Sequence, residues 1–124
     1  MRTIWSYGAA LILSLSCAMP ARATDLVTTF AQCTGRYSAH MEHQWLIGAP
    51  AEDIVADRAA MIALLDAVMP KTRARETLAK RIEAKFAQAR LLARASFNDD
   101  SADATWAATR ASVEIGSCRA LLLG

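Results

Sequence analysis

The stretch Phe30-Ala31-Gln32-Cys33-Thr34-Gly35-Arg36-Tyr37-Ser38-Ala39-His40-Met41-Glu42-His43-Gln44-Trp45 decides the fold. Together with Leu26 just before it, Phe30, Cys33, Tyr37, Met41 and Trp45 recur at steps of three and four residues. Such steps put side chains on one broad face of an α-helix. Ala31, Gly35 and Ala39 form a second stripe at steps of four. A glycine inside a helix costs ~1 kcal/mol relative to alanine. Close approach of another helix along this stripe would explain its presence; the alternative is a stripe that simply faces water.

Upstream of this helix the composition changes. Arg2 gives a short positive start, Ala9 to Ala18 is almost wholly apolar, Pro20 breaks the run, and Ala21-Arg22-Ala23 has small residues where a signal peptidase reads. This pattern predicts a secretory signal over residues 1–23, cleaved after Ala23, and a single helical domain over 24–124. The apolar run falls short of the ~20 residues of a membrane span. The expected location is the periplasm or the exterior, with no transmembrane segment in the mature chain.

Removing residues 1–23 takes away Arg2 and Arg22 and leaves 12 basic and 12 acidic residues. The expected mature chain is therefore neutral overall, with no net charge to draw it to nucleic acid. Cys17 leaves as well. Cys33 and Cys118 remain, and an even count in an exported chain predicts one disulfide. No vicinal Cys-x-x-Cys is present to suggest a redox pair.

Three more helices follow by the same reasoning. The first should run from Asp25, or Thr24 as its cap, to Ile47, and Gly48-Ala49-Pro50 should end it. Pro50 suits the first turn of a second helix, with Glu52 and Asp53 well placed for its dipole. Ile54, Arg58, Met61, Leu65 and Val68 would be its buried stripe, the Arg58 stem packed and its head in water, and Pro70 its stop. The third helix is expected from Thr72 to Phe97, with Leu78, Ile82, Phe86, Ala89, Ala93 and Phe97 facing inward. Asn98-Asp99-Asp100-Ser101 reads as a turn that caps a fourth helix over 102–122. That helix carries Ala104, Ala108, Ala111, Ile115, Cys118 and Leu122 on one face and Trp106, Val113 and Ala120 on another, which predicts burial on two sides. Four helices with short connections imply an all-α, antiparallel up-down-up-down bundle. That topology brings Cys33, near the start of the first helix, to the level of Cys118, near the end of the last.

The chemistry on offer is sparse. His40 and His43 lie three apart on one helix, with Met41 between them. They could begin a metal site, but zinc wants three or four ligands, and methionine at helical spacing usually fills core. The expected places are the core edge for His40 and the surface for His43. The third helix, with the residues just before it, carries Lys71, Arg73, Arg75, Lys80, Arg81, Lys85, Arg90 and Arg94 against Glu76 and Glu83. The segment Ala49–Met69 carries Glu52, Asp53, Asp57 and Asp66 against Arg58. On a helical wheel the basic residues surround the apolar face, and Glu76 can pair with Arg73 and Lys80. No Gly-x-Ser-x-Gly, Cys-x-x-Cys-His, His-Glu-x-x-His or phosphate-binding glycine loop is present. Ser38 beside His43 has no spacing that selects it, and Tyr37 and Arg36 read as core and salt-bridge residues.

These readings point to a small exported binding or accessory module of the cell envelope, not an enzyme, with no cofactor. Its surface would include Arg73, Lys80, Arg81, Lys85, Arg90 and Arg94, and its partner would be a protein or an anionic envelope component. The alternative is a periplasmic metal- or cofactor-binding bundle using His40, His43 and methionines.

Overall fold

A computed structural model describes residues 25–124. The expected signal segment and its cleavage point after Ala23 lie outside the described residues. Within them the chain forms α1 (Leu26–Ile47), α2 (Glu52–Val68), α3 (Ala74–Ser96) and α4 (Ser101–Leu122), with a short 3-10 turn at Lys71–Arg73 leading into α3. The described residues contain no strand.

Local chemistry sets the boundaries. α1 ends at Gly48, whose φ of 69° lies in the left-handed region that glycine adopts without a Cβ penalty. Its N–H turns back to the Trp45 carbonyl, and the Ala49 N–H bonds the Gln44 carbonyl at 2.9 Å. α2 begins at Glu52 with Ala51 in the cap position, so Pro50 lies before the helix and not in its first turn. Gln44 Nε2 holds the Pro50 carbonyl at 3.1 Å, and that clamp fixes where the chain turns. Asp100 caps α4, its carboxylate accepting from the Ala102 and Asp103 N–H groups at 3.0 and 3.1 Å. Asp25 occupies the cap position of α1 but makes no cap bond; Thr28 and Arg73 take its carboxylate instead.

Side-chain pairings fix the helix directions. Asp25 meets Arg73, and further along His40 meets Gln88 and His43 meets Ser96, so α1 and α3 run parallel. Cys33 meets Cys118 while Arg36 meets Glu114, so α1 and α4 run antiparallel. Directions therefore alternate up-down-up-down, and the Cys33–Cys118 disulfide ties α1 to α4 with Cα atoms 5.5 Å apart.

α1 is the centre of the arrangement. Its bulky face (Val27, Phe30, Cys33, Tyr37) forms the main core with Ile54, Met61 and Leu65 of α2 and Ile115 and Cys118 of α4. Its small-residue stripe receives α3. A Cβ built on Gly35 would lie 2.2 Å from the Arg81 carbonyl oxygen and 2.9 Å from the Lys85 nitrogen, so the two backbones touch there. α3 pairs closely with α1 and also lies against α4, while α2 and α3 do not pack against each other.

This close contact overturns the expected orientation of α3. Backbones in contact leave no room for Phe or Ile between them. The face turned to α1 is the thin one, with Thr77, Gln88 and Leu92 buried. Leu78, Ile82, Phe86 and Phe97, expected inside, are exposed at 53%, 46%, 58% and 63%. The second apolar side of α4 is likewise outside, with Trp106 and Val113 exposed, and so is Trp45 at the end of α1.

Candidate functional site

The two histidines have separate structural partners. The buried Gln88 amide donates to the Ala111 carbonyl at 3.0 Å, and its nitrogen also lies 2.9 Å from His40 Nε2. An amide NH₂ only donates, so His40 Nε2 accepts, and the imidazole is neutral. Burial, with smaller effects of the nearby Arg119 and His43, pulls His40 down to about 4. His43 Nε2 instead shares a hydrogen bond with Ser96 Oγ at 2.9 Å, and its ring meets the Phe97 ring edge-on. Met41 packs against the main core. Among the described residues no three His, Cys, Asp or Glu side chains are gathered in a metal-binding group.

The His43–Ser96 pair spans 53 residues and carries no sequence signal. Its surroundings do not equip it for acyl transfer. Ser96 is the last residue of α3, where a helix presents carbonyl oxygens and the negative end of its dipole, the wrong charge to stabilise an oxyanion. Ser38 is engaged elsewhere, donating to the Thr34 carbonyl at 2.9 Å and accepting from Arg58 Nε at 2.8 Å. Arg58 thus anchors α2 to α1 and does not simply extend into water. Tyr37 is wholly buried, and burial pushes its phenol up to about 12, with Asp57 adding to the effect.

The basic residues of α3 divide among several faces. Arg73 bridges to Asp25 on α1 and to Glu76 one turn on, and the Arg73 guanidinium beside Asp25 holds that carboxyl well below the usual range. Lys80 pairs with Glu83 at 3.8 Å, and Lys85 reaches Glu42 on α1 at 2.6 Å. Arg94 crosses to Asp103 on α4 and lies 5.1 Å from the centre of the Trp106 ring. Of the proposed surface residues, Arg81 and Arg90 have no carboxylate partner among the described residues, and Arg75 and Arg58 also lack one.

Two grooves run beside α3 in consequence. Because α2 and α3 stand apart, one opens over α1, with Gly35 and Ser38 in its floor, Arg58 on the α2 side, and Leu78, Arg81 and Ile82 on the α3 side; its volume is about 200 Å³. The other, of about 390 Å³, lies between α3 and α4. It gathers Arg90 and Arg94 with Arg36 of α1 and with Trp106, Arg110 and Glu114 of α4. Arg36, Trp106 and Arg110 were missed in the sequence as members of a site. The one available hint was spacing, since Trp106, Arg110 and Glu114 recur every fourth residue and Arg90 and Arg94 do the same.

Among the described residues no helix is long and apolar enough to cross a membrane. No family model, curated protein or solved structure is found to match the chain.

Proposed function

We propose that the protein is a small, exported, non-catalytic binding module of the cell envelope, which docks through α3 onto an acidic amphipathic helix of a partner protein. The observation that carries this reading is the open groove between α2 and α3. In a closed bundle those helices would cover Leu78 and Ile82. Here both side chains border an unfilled channel whose cations Arg58 and Arg81 have no carboxylate partner among the described residues. A helix laid in such a channel would anchor apolar residues one turn apart and set its carboxylates against the guanidinium groups. The Cys33–Cys118 disulfide supports an oxidising location.

The test is site-specific photo-crosslinking in the native envelope, from Ile82 in the groove and from Ala63 on the exposed side of α2. A protein joined through Ile82 and not Ala63, by an acidic helical peptide, and lost on Arg81→Glu, is the expected result. Crosslinks to lipid, to a second copy of the chain, or equally from both positions would refute the proposed partner.

A further inference from the structure

The cleft between α3 and α4 lies on another side of α3 from the docking groove and has different chemistry. Small residues leave it unfilled: Ala84 and Ala87 of α3 line a space that larger side chains would occupy. The resulting volume, about 390 Å³, lies within the range of small-molecule sites.

Charge in the cleft is unbalanced. Four guanidinium groups, from Arg36, Arg90, Arg94 and Arg110, converge on it. Two carboxylates answer them. Glu114 is shared by Arg36, at 3.1 Å, and Arg110, while Asp103 takes Arg94. Arg90 has no carboxylate among the described residues. Arginine presents planar, forked donors that match the oxygens of a carboxylate or phosphate.

Part of this cluster is held in place. Glu114 and Arg36 are largely buried, and Arg36 Nη1 rests 3.8 Å from Cys118 Sγ and 4.0 Å from Cys33 Sγ, against the disulfide. Glu114, so anchored, in turn holds Arg110 at the cleft. Beside these cations stands Trp106, an indole 54% exposed, with the Arg94 guanidinium near its ring. A large flat apolar surface sharing a cleft with Arg90 suits a ligand with a flat apolar body and an anionic head.

We propose that the α3–α4 cleft binds a small organic anion, with an oxyanion head on Arg90 and Arg110 and a flat apolar body against Trp106. The experiment is calorimetric titration of the full-length protein with 2-naphthoate, with its neutral analogue 2-naphthylmethanol, and with inorganic phosphate. One equivalent of 2-naphthoate should bind, with the alcohol and phosphate each weaker by about tenfold or more, the worth of one charge-assisted hydrogen bond or one buried ring. Arg90→Gln should weaken 2-naphthoate by about tenfold. Glu114→Gln should tighten it, because the competing carboxylate is gone; a purely structural role for Glu114 would give no gain. The helical spectrum and melting curve of each variant report its folding separately. No binding of 2-naphthoate, equal affinity for the neutral alcohol or for phosphate, or equal affinity in Arg90→Gln would overturn the proposal. None of these outcomes bears on the groove between α2 and α3, which uses other residues.

Discussion

Gly35→Ala adds one methyl group at the point where α1 and α3 touch. In an isolated helix the change would help by ~1 kcal/mol, because alanine is the better helix former. In this fold the new Cβ would lie 2.2 Å from the Arg81 carbonyl oxygen and 2.9 Å from the Lys85 nitrogen, both backbone atoms that no rotamer change can move. Relief requires the helices to separate by about 1 Å to regain ordinary van der Waals distance. That shift loosens Thr77, Gln88 and Leu92 against α1 and stretches the hydrogen bond between Gln88 and His40. Overpacking of this kind costs about 1–3 kcal/mol, and strain against backbone belongs at the upper end. Net of the propensity gain, the variant should lose ~2 kcal/mol, or about 8–16 °C in Tm for a domain of this size. Gly116→Ala is the matched control. It sits inside α4 with nothing within 4 Å of its built Cβ, so it should gain ~1 kcal/mol. Urea and thermal unfolding of both variants measure the pair. A Gly35→Ala protein as stable as wild type, or one shifted in the same direction as Gly116→Ala, would refute the close contact.

Two further predictions concern stability. Cys33→Ser/Cys118→Ser should lower stability by up to about 4.5 kcal/mol through the entropy of a loop of 85 residues, while helicity at low temperature persists; non-reducing peptide mapping and N-terminal sequencing of protein taken from the envelope check the bond and the cleavage after Ala23 together, and two free thiols would sink the structural reading of the pair. His40 should make the protein acid-sensitive: its pKa is about 4 in the fold against 6.5 for the ordinary imidazole, so stability is full above pH 6.5 and is lost as pH falls towards 4. The loss amounts to about 3 kcal/mol at most, and His40→Gln, compared with wild type by urea unfolding at pH 7 and pH 4, should remove that share; equal losses in both proteins would show that His40 carries none of it.

Much of the fold could be read from residues with one dominant local effect. Gly48 and Pro70 marked helix ends, Asp100 marked a cap, and the placement of Cys33 and Cys118 agreed with the alternating helix directions. The small stripe on α1 offered a helix contact as one of two readings, and the contact of Gly35 with Arg81 and Lys85 decides for it. The orientation of α3 was not legible, because periodicity reports which residues share a face and not which face a neighbour requires. Leu78, Ile82 and Phe86 form the more apolar face, yet contact at Gly35 admits only the thinner one. The arginine cleft was hidden for a different reason. Its charges come from three helices, and their convergence depends on how α3 and α4 lie, which no local spacing encodes. Likewise, nothing around His40 in the chain points to Gln88, 48 residues away.

The central position of α1 has a consequence for when the protein can fold. A chain is made from its N-terminal side at ~5–20 residues per second. α1 precedes every helix that covers it, and its small stripe waits for Arg81 while its bulky face waits for Ile115 and Cys118. The 85 residues between the cysteines alone take about 4–17 s to synthesise. Helix elongation, at about a nanosecond per residue, is finished long before. During that interval only α2 comes early enough to cover part of the bulky face, and the core around Ile115 and Cys118 stays open until the last helix emerges. The order of the helices along the chain alone therefore postpones completion of the fold to the end of synthesis.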